Sequence, residues 1–429
     1  MTDAGPGSQL SDRVREFVLE GFAPRLGQVR ATFPTHPLWR RLNELGTQLW
    51  LDSGDIDDVG VCWTREFAAL TTNNTLLNQQ VQKGLYDDLI VEASRLLDDF
   101  TLSPQQRKLE LAFILNARHG LKLVETFDAF VSVEEHTDLA DDLPAALAYA
   151  RRYYEICPQR FYVKIPLSPA GVLATRRCTA EGIAVNHTLG FSARQNYLIA
   201  RVGRPAFVNV FLGRLNSFVA QNKLGDGTYV GEKATLASQA HLKGLREQMG
   251  IATRQIGASF RDGRQVRDLA GLDVMTIPPK VAGEFLQLVE GTDPQQLQDC
   301  TARRYDPPLA EGVDEHATGL HTLWDVDERL VKCLHALESE DVDAFTGGDL
   351  TAFLARHGCG DIFPDWTRQQ RHSSATEGKI PRLENWRDLL QEGAIGLDSL
   401  MNLAGWNAFN ADQVAMDNRV QDVLQHAAQ

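Results

Sequence analysis

Eight polar residues stand at or near the carboxyl ends of short apolar runs: Asp52, Asn73, Glu134, Lys164, Asn186, Thr188, Asn209 and Arg214. A lysine with two carboxyl groups is the set that amine-based carbon–carbon chemistry needs. The amine attacks a ketone, and the resulting iminium draws in the electron pair of a breaking carbon–carbon bond. One acid must take the proton from the hydroxyl on the carbon being released, and another must shuttle protons while the carbinolamine dehydrates. Asp52 and Glu134, on separate runs, are suited to divide those two tasks. Asparagine amides donate and accept, so they match sugar hydroxyls on both counts.

Lys164, in "FYVKIPLSPAG", has two readings. Alone at the end of a strand, it snorkels to solvent. Gathered with the other run ends, it is enclosed, and enclosure favours the neutral amine that attacks carbonyls. The same test applies to its neighbours. Asp52 also reads as a loop cap, Asn186 and Asn209 as partners of strand-end backbone, and Arg261 as the partner of a surface carboxylate. His187 alternates with Asn186 and Thr188, so it faces outward as a hydrogen-bonded core histidine.

The elements that must position these groups are parallel strands with crossover helices. Strand ends fall at Asp52, Asn73, Glu134, Lys164, Thr188, Phe211, Ser259 and Ile277. Lys164, Asn186 and Asn209 recur at intervals of about 22 residues, the length of one strand, one helix and two short loops. Ser168 and Pro169 mark a helix start that ends near Gly182, and Ser103 with Gln106 forms a capping box behind Pro104. Eight such alternations, without a glycine-rich phosphate fingerprint after the first strand, predict an α/β fold: a (β/α)8 TIM barrel over residues 37–309. Its strand ends converge on one face.

Residues 1–36 read as an N-terminal extension and residues 310–429 as an all-helical C-terminal domain, joined by "RRYDPPLAEG". Two segments of that domain resemble degenerate EF-hands. Ser373 and Ala375 occupy the first and third loop places of one, and Phe345 stands at a ligand place of the other, so no metal is expected. Trp366 and Trp386 read as core.

With 43% apolar and 23% charged residues the composition is that of a globular protein, and the net charge of −14 argues against a nucleic-acid partner. No apolar run reaches membrane-spanning length, and the opening residues lack a signal peptide's apolar stretch. Six cysteines without paired spacing read as reduced thiols, so a cytoplasmic protein is expected. Oligomeric state stays open, a homo-oligomer included.

"LWLDSGDID", "ALTTN", "VKIP", "GIAVNHTLGFS", "VFLGRL", "GASFR" and "GLDVMTIPP", in this order, closely resemble transaldolases over roughly residues 37–295. The resemblance implies a class I aldol mechanism without metal or cofactor. A dihydroxyacetone unit passes from a ketose phosphate, such as fructose 6-phosphate or sedoheptulose 7-phosphate, to an aldose phosphate in the pentose phosphate pathway. It makes Lys164 the Schiff-base lysine and Asp52 the acid/base of carbon–carbon cleavage, with Glu134 and Thr188 positioning a relay water. Asn73 and Asn186 would hold the dihydroxyacetone hydroxyls, and Arg214, Ser259 and Arg261 the phosphate, for which the arginine fork is suited. Phe211 beside a third-strand glutamate matches transaldolases proper. Related fructose-6-phosphate aldolases carry tyrosine and glutamine there, and phenylalanine lacks the hydroxyl that would activate water.

Three positions depart from the family's pattern. Asn74 stands where proline is usual, Asn209 where a serine meets the donor, and His136 where an aspartate follows the glutamate. Asn209 raises the alternative of a Schiff-base aldolase or transaldolase with altered donor preference. An inactive barrel serving as a scaffold is the reading from another class, disfavoured by the joint presence of Asp52, Glu134, Lys164 and Thr188.

Overall fold

Short runs rich in β-branched and aromatic residues pair side by side until the sheet meets itself. In the computed structural model, which describes residues 7–427 and 429, they form a closed parallel barrel. Its strands are β1 (Gln48–Asp52), β2 (Phe67–Thr71), β3 (Phe130–Glu134), β4 (Phe161–Pro166), β5 (Val185–Thr188), β6 (Phe207–Phe211), β7 (Arg254–Ala258) and β8 (Val274–Ile277). Each pairs with the next, and β8 closes on β1 through Gln48–Val274 and Leu51–Ile277. The expected barrel with additional C-terminal helices is what the chain forms.

Five expected strand ends, Asp52, Glu134, Thr188, Phe211 and Ile277, are strand termini. Three are displaced. β2 stops at Thr71 because Asn73 is needed as an N-cap, its side-chain oxygen accepting from Leu76 N at 2.8 Å. Lys164 lies two residues inside β4, whose pairing runs on to Pro166–Thr188. β7 stops at Ala258 because Ser259 takes a positive φ of 66°, which breaks the strand.

Alternation decides what fills the barrel. Trp50, Phe130, Tyr162 and Phe207 point inward and pack near the amino-terminal end. Tyr162 stacks on Trp50 at 5.5 Å and on Phe130 at 5.0 Å, and Phe207 meets Trp50 edge-on at 4.8 Å. A buried ring such as Phe207 contributes about 1.5–3 kcal/mol by leaving water, the partly buried Phe130 and Tyr162 less, and together they fill the floor of the barrel. The polar inward residues lie above this layer, towards the carboxyl ends.

Helices follow the expected signals. Ser103 and Gln106 form their capping box on Pro104–Phe127, and Ser168 accepts from Gly171 N at 2.9 Å at the start of Pro169–Ala180. Gly182 takes the left-handed conformation beyond that helix. The calcium-loop resemblance ends at this level. Ser373 and Ala375 lie within the helix Arg368–Glu377, so the loop whose first and third places they would fill does not exist.

The last helix, Leu397–Ala427, spans about 46 Å at 1.5 Å per residue and runs across the carboxyl end of the barrel. It is fixed by buried polar contacts. Asp398 receives Arg194 at 2.7 Å and Ser192 at 2.6 Å, while Asn402 donates to Leu189 O at 3.0 Å. Further along, Thr137 donates to Asn410 at 2.9 Å, and Asp417 meets His136 at 3.2 Å.

Candidate active site

Glu134, Lys164 and Asn186 are register partners on β3, β4 and β5, so strand pairing alone sets their side chains at one level of the interior. Lys164 Nζ donates to Thr72 O at 3.1 Å and lies 3.4 Å from Glu134 Oε2; both side chains are 2% exposed. Asn74 N donates to the same Glu134 oxygen at 3.3 Å. The amine therefore does not snorkel. Asn74 serves here through its backbone, which a proline at that position would not supply.

Burial raises the pKa of Glu134, opposed chiefly by the charge of Lys164. Asp52, at the end of β1, is pushed up to about 6 by burial, with Lys164 and Arg261 pulling the other way. Its residue surface is half-open to the mouth, but the barrel wall surrounds its carboxyl. Two carboxyls that gain protons more readily than usual thus flank one amine, the arrangement for moving protons near neutral pH.

Asn186 donates to Ser132 Oγ at 2.9 Å and accepts from Asn209 Nδ2 at 2.7 Å, and Asn209 also donates to His187 O at 2.8 Å. Thr188 is fully buried, and its hydroxyl has no partner among the described residues. His187 faces outward and pairs with Thr175 at 2.8 Å, and burial lowers its pKa to about 3. His136 caps a turn and meets Asp417, a polar loop contact away from the amine.

A second group gathers where β6 and β7 end. Arg214 is 7% exposed and makes no hydrogen bond among the described residues, and its Nη1 is wholly enclosed. The faces of Phe211 and Phe409 lie 5.5 and 5.6 Å from its guanidinium carbon. Burial and the neighbouring charge of Arg261 lower its pKa to about 10, so it remains a cation at neutral pH. Arg261 is exposed. Gly213 permits the two loops to touch: a Cβ there would stand 2.1 Å from Ser259 O and 2.7 Å from Arg261 Cγ. Ser259 holds its left-handed conformation at this junction, a strain of roughly 1–2 kcal/mol.

Three participants escape sequence reading. Ser132 was legible by alternation, two residues before Glu134. Thr72 acts through its carbonyl, which carries no side-chain signal. Phe409 arrives from the last helix, and its ring centre lies 5.6 Å from Lys164 Nζ; nothing local distinguishes it from any core aromatic.

Behind the amine, Glu135 is 1% exposed with neither carboxyl oxygen hydrogen-bonded among the described residues. Burial, then the charge of Glu134, raises its pKa well above 4.5. The folded chain therefore holds a proton that the unfolded chain gives up. This contribution to stability is complete below the unfolded value and is lost as pH rises towards the folded one. Thermal melts should show wild type losing stability, as pH rises above the ordinary carboxyl value, more steeply than Glu135→Gln; parallel curves would refute the assignment.

All six cysteines are unpaired, and among the described residues no helix is long and apolar enough to cross a membrane. A sequence profile described as Transaldolase/Fructose-6-phosphate aldolase matches residues 49–347, which take in the eight strands except Gln48, the first residue of β1. The transaldolase of Xanthomonas euvesicatoria pv. vesicatoria is 30% identical over 298 residues, covering 65% of this chain and 89% of that protein. That of Methylococcus capsulatus is 27% identical over 264 residues, 59% of this chain and 78% of its own length. That of Trichormus variabilis is 28% identical over 283 residues, 63% and 83% respectively. With the matched stretch running through every strand of the barrel, those that carry Lys164, Asp52 and Glu134 included, the chain belongs to the transaldolase/fructose-6-phosphate aldolase family of enzymes.

Proposed function

We propose that this protein is a transaldolase, moving a dihydroxyacetone unit from a ketose phosphate to an aldose phosphate through a Schiff base on Lys164. The observation that carries this reading is the enclosed Lys164 amine 3.4 Å from Glu134, within a mouth that also holds the Asp52 carboxyl. Lys164 Nζ adds to the ketone carbon C2. Glu134, with Thr188 and a water between them, supplies the proton on which the carbinolamine hydroxyl leaves as water. Asp52 then takes the proton of the C4 hydroxyl, the C3–C4 bond breaks into the iminium, and the aldose phosphate departs. An acceptor aldehyde reverses these steps. Asn186 and the free amide of Asn73 are the hydroxyl ligands in this reading.

Arg214, a nearly buried cation without a partner, supports phosphate as the recognised group, together with Arg261 and Ser259. Arg214→Met should raise KM for fructose 6-phosphate about 100-fold, the scale of a charge-assisted contact of about 1.5–3 kcal/mol. It should leave unphosphorylated fructose unchanged. An equal loss on both sugars, measured by coupled assay, would remove the phosphate role.

Asn209 favours one variant of this reading, an altered donor preference. Its longer side chain already occupies Asn186 Oδ1 and His187 O, so a panel of ketose phosphates is the measure of donor choice. The decisive test of the main reading is borohydride reduction with fructose 6-phosphate, followed by peptide mass spectrometry. A three-carbon adduct on Lys164 is expected, and no adduct with any ketose phosphate would end the assignment. The sugar-phosphate chemistry and a place in the pentose phosphate pathway both stand on that result.

A further inference from the structure

Resting on the Schiff-base reading of Lys164, we propose that Phe409 determines reaction specificity by keeping water from C3, the nucleophilic carbon of the lysine-bound three-carbon intermediate, so that it is passed to an aldehyde instead of being released. Phe409 is 4% exposed, and its ring centre lies 5.6 Å from Lys164 Nζ. It meets Phe211 edge-on at 6.3 Å, and Phe211 in turn meets Phe191 at 5.5 Å. The three rings form a continuous apolar wall at the ends of β5 and β6, beside the amine.

The ring has little freedom to leave. On one side of it Asn402 donates to Leu189 O and Leu167 O, tying the helix to the loops after β5 and β4. On the other side Asn410 and Asp417 tie it to Thr137 and His136, after β3. Between them Gly405 permits close approach, since a Cβ there would stand 3.1 Å from Leu189 and 3.2 Å from Phe191. A helix seated at three strand ends around the lysine holds Phe409 as a fixed cover.

The chemistry at stake is a partition. Once the carbon–carbon bond has broken, the bound unit is an enamine whose nucleophilic carbon, C3, is two bonds from Nζ. If C3 attacks an aldehyde carbon, a new C–C bond forms and the aldehyde oxygen takes a proton; the relay water beside Glu134 and Thr188 then adds to C2, the C2–N bond breaks, and the lengthened ketose leaves. If C3 instead takes a proton from water, the iminium returns. Hydroxide oxygen then adds to C2, the C2–N bond breaks, the amine regains its proton, and free dihydroxyacetone leaves. An apolar ring within reach of C3 removes the proton source without obstructing an incoming aldehyde carbon.

The experiment compares full-length wild type, Phe409→Leu and Phe409→Ser with fructose 6-phosphate, alone and with erythrose 4-phosphate. Free dihydroxyacetone is measured against the seven-carbon transfer product, and borohydride adducts on Lys164 are quantified in parallel. Both variants should retain the adduct, while the ratio of release to transfer rises at least tenfold. A general loosening of the fold lowers both products together and leaves the ratio alone. Phe409→Leu opens a gap of about one water where the ring stood while keeping an apolar side chain for the fold, so the comparison survives if Phe409→Ser fails to fold. Retained adducts with a ratio within twofold of wild type overturn the role of Phe409 and leave the Schiff base standing. No adduct in wild type overturns the Schiff base itself, and this proposal with it.

Discussion

Lys164→Met should lower turnover by about five orders of magnitude, the scale on which covalent catalysis fails when its nucleophile is removed, with the barrel still folded. Methionine keeps the unbranched shape of the lysine stem, so the packing around Val163 and Ile165 is preserved. Removing the ammonium would ordinarily leave a buried carboxylate uncompensated. Glu134, however, is already displaced towards its protonated form by burial, and it can shed its charge by binding a proton. The melting temperature should accordingly change little, while the borohydride adduct disappears. Activity within 100-fold of wild type would show that the amine is not the nucleophile.

Asp52→Asn should have the second-largest effect, a loss of about 10³ in kcat, within the range for a positioned acid/base. The base must be ionised to accept the hydroxyl proton, and Asp52 titrates at about 6. Wild-type rate should therefore fall roughly tenfold per pH unit below about 6, and the variant should lack that limb. The trapped species should change as well. Wild type should yield the three-carbon adduct, whereas Asp52→Asn, able to form the iminium but not to cleave it, should accumulate the six-carbon one. Identical adducts and an unchanged acid limb would assign the proton to another group.

Much of this was legible in the sequence because barrels convert spacing into position. A strand, a helix and two loops repeat at nearly constant length, so the residues at the ends of "FYVK" and "FVSVE" had to meet. Register then set Glu134 beside Lys164 without any further signal. What stayed hidden has identifiable causes. Asn73 and Ser259 were displaced from strand ends because capping and backbone strain, not hydrophobic alternation, decide where those strands stop. The seat of the last helix was hidden because residues 397–409 bury apolar side chains on several faces at once, leaving no single stripe to say what they cover. Phe409 acquires its place largely through Asn402, Asn410 and Asp417, each of which is an ordinary polar residue until its partner 200 or more positions away is known.

The aromatic layer of Trp50, Phe130, Tyr162 and Phe207 has a consequence for traffic. With its rear sealed by stacked rings, the barrel has a single doorway, shared by everything that arrives or departs. On the proposed assignment the first product must vacate before the second reactant can come in, and the protein alternates between an empty form and one carrying its passenger. A covalent tether is what keeps that passenger aboard during the exchange.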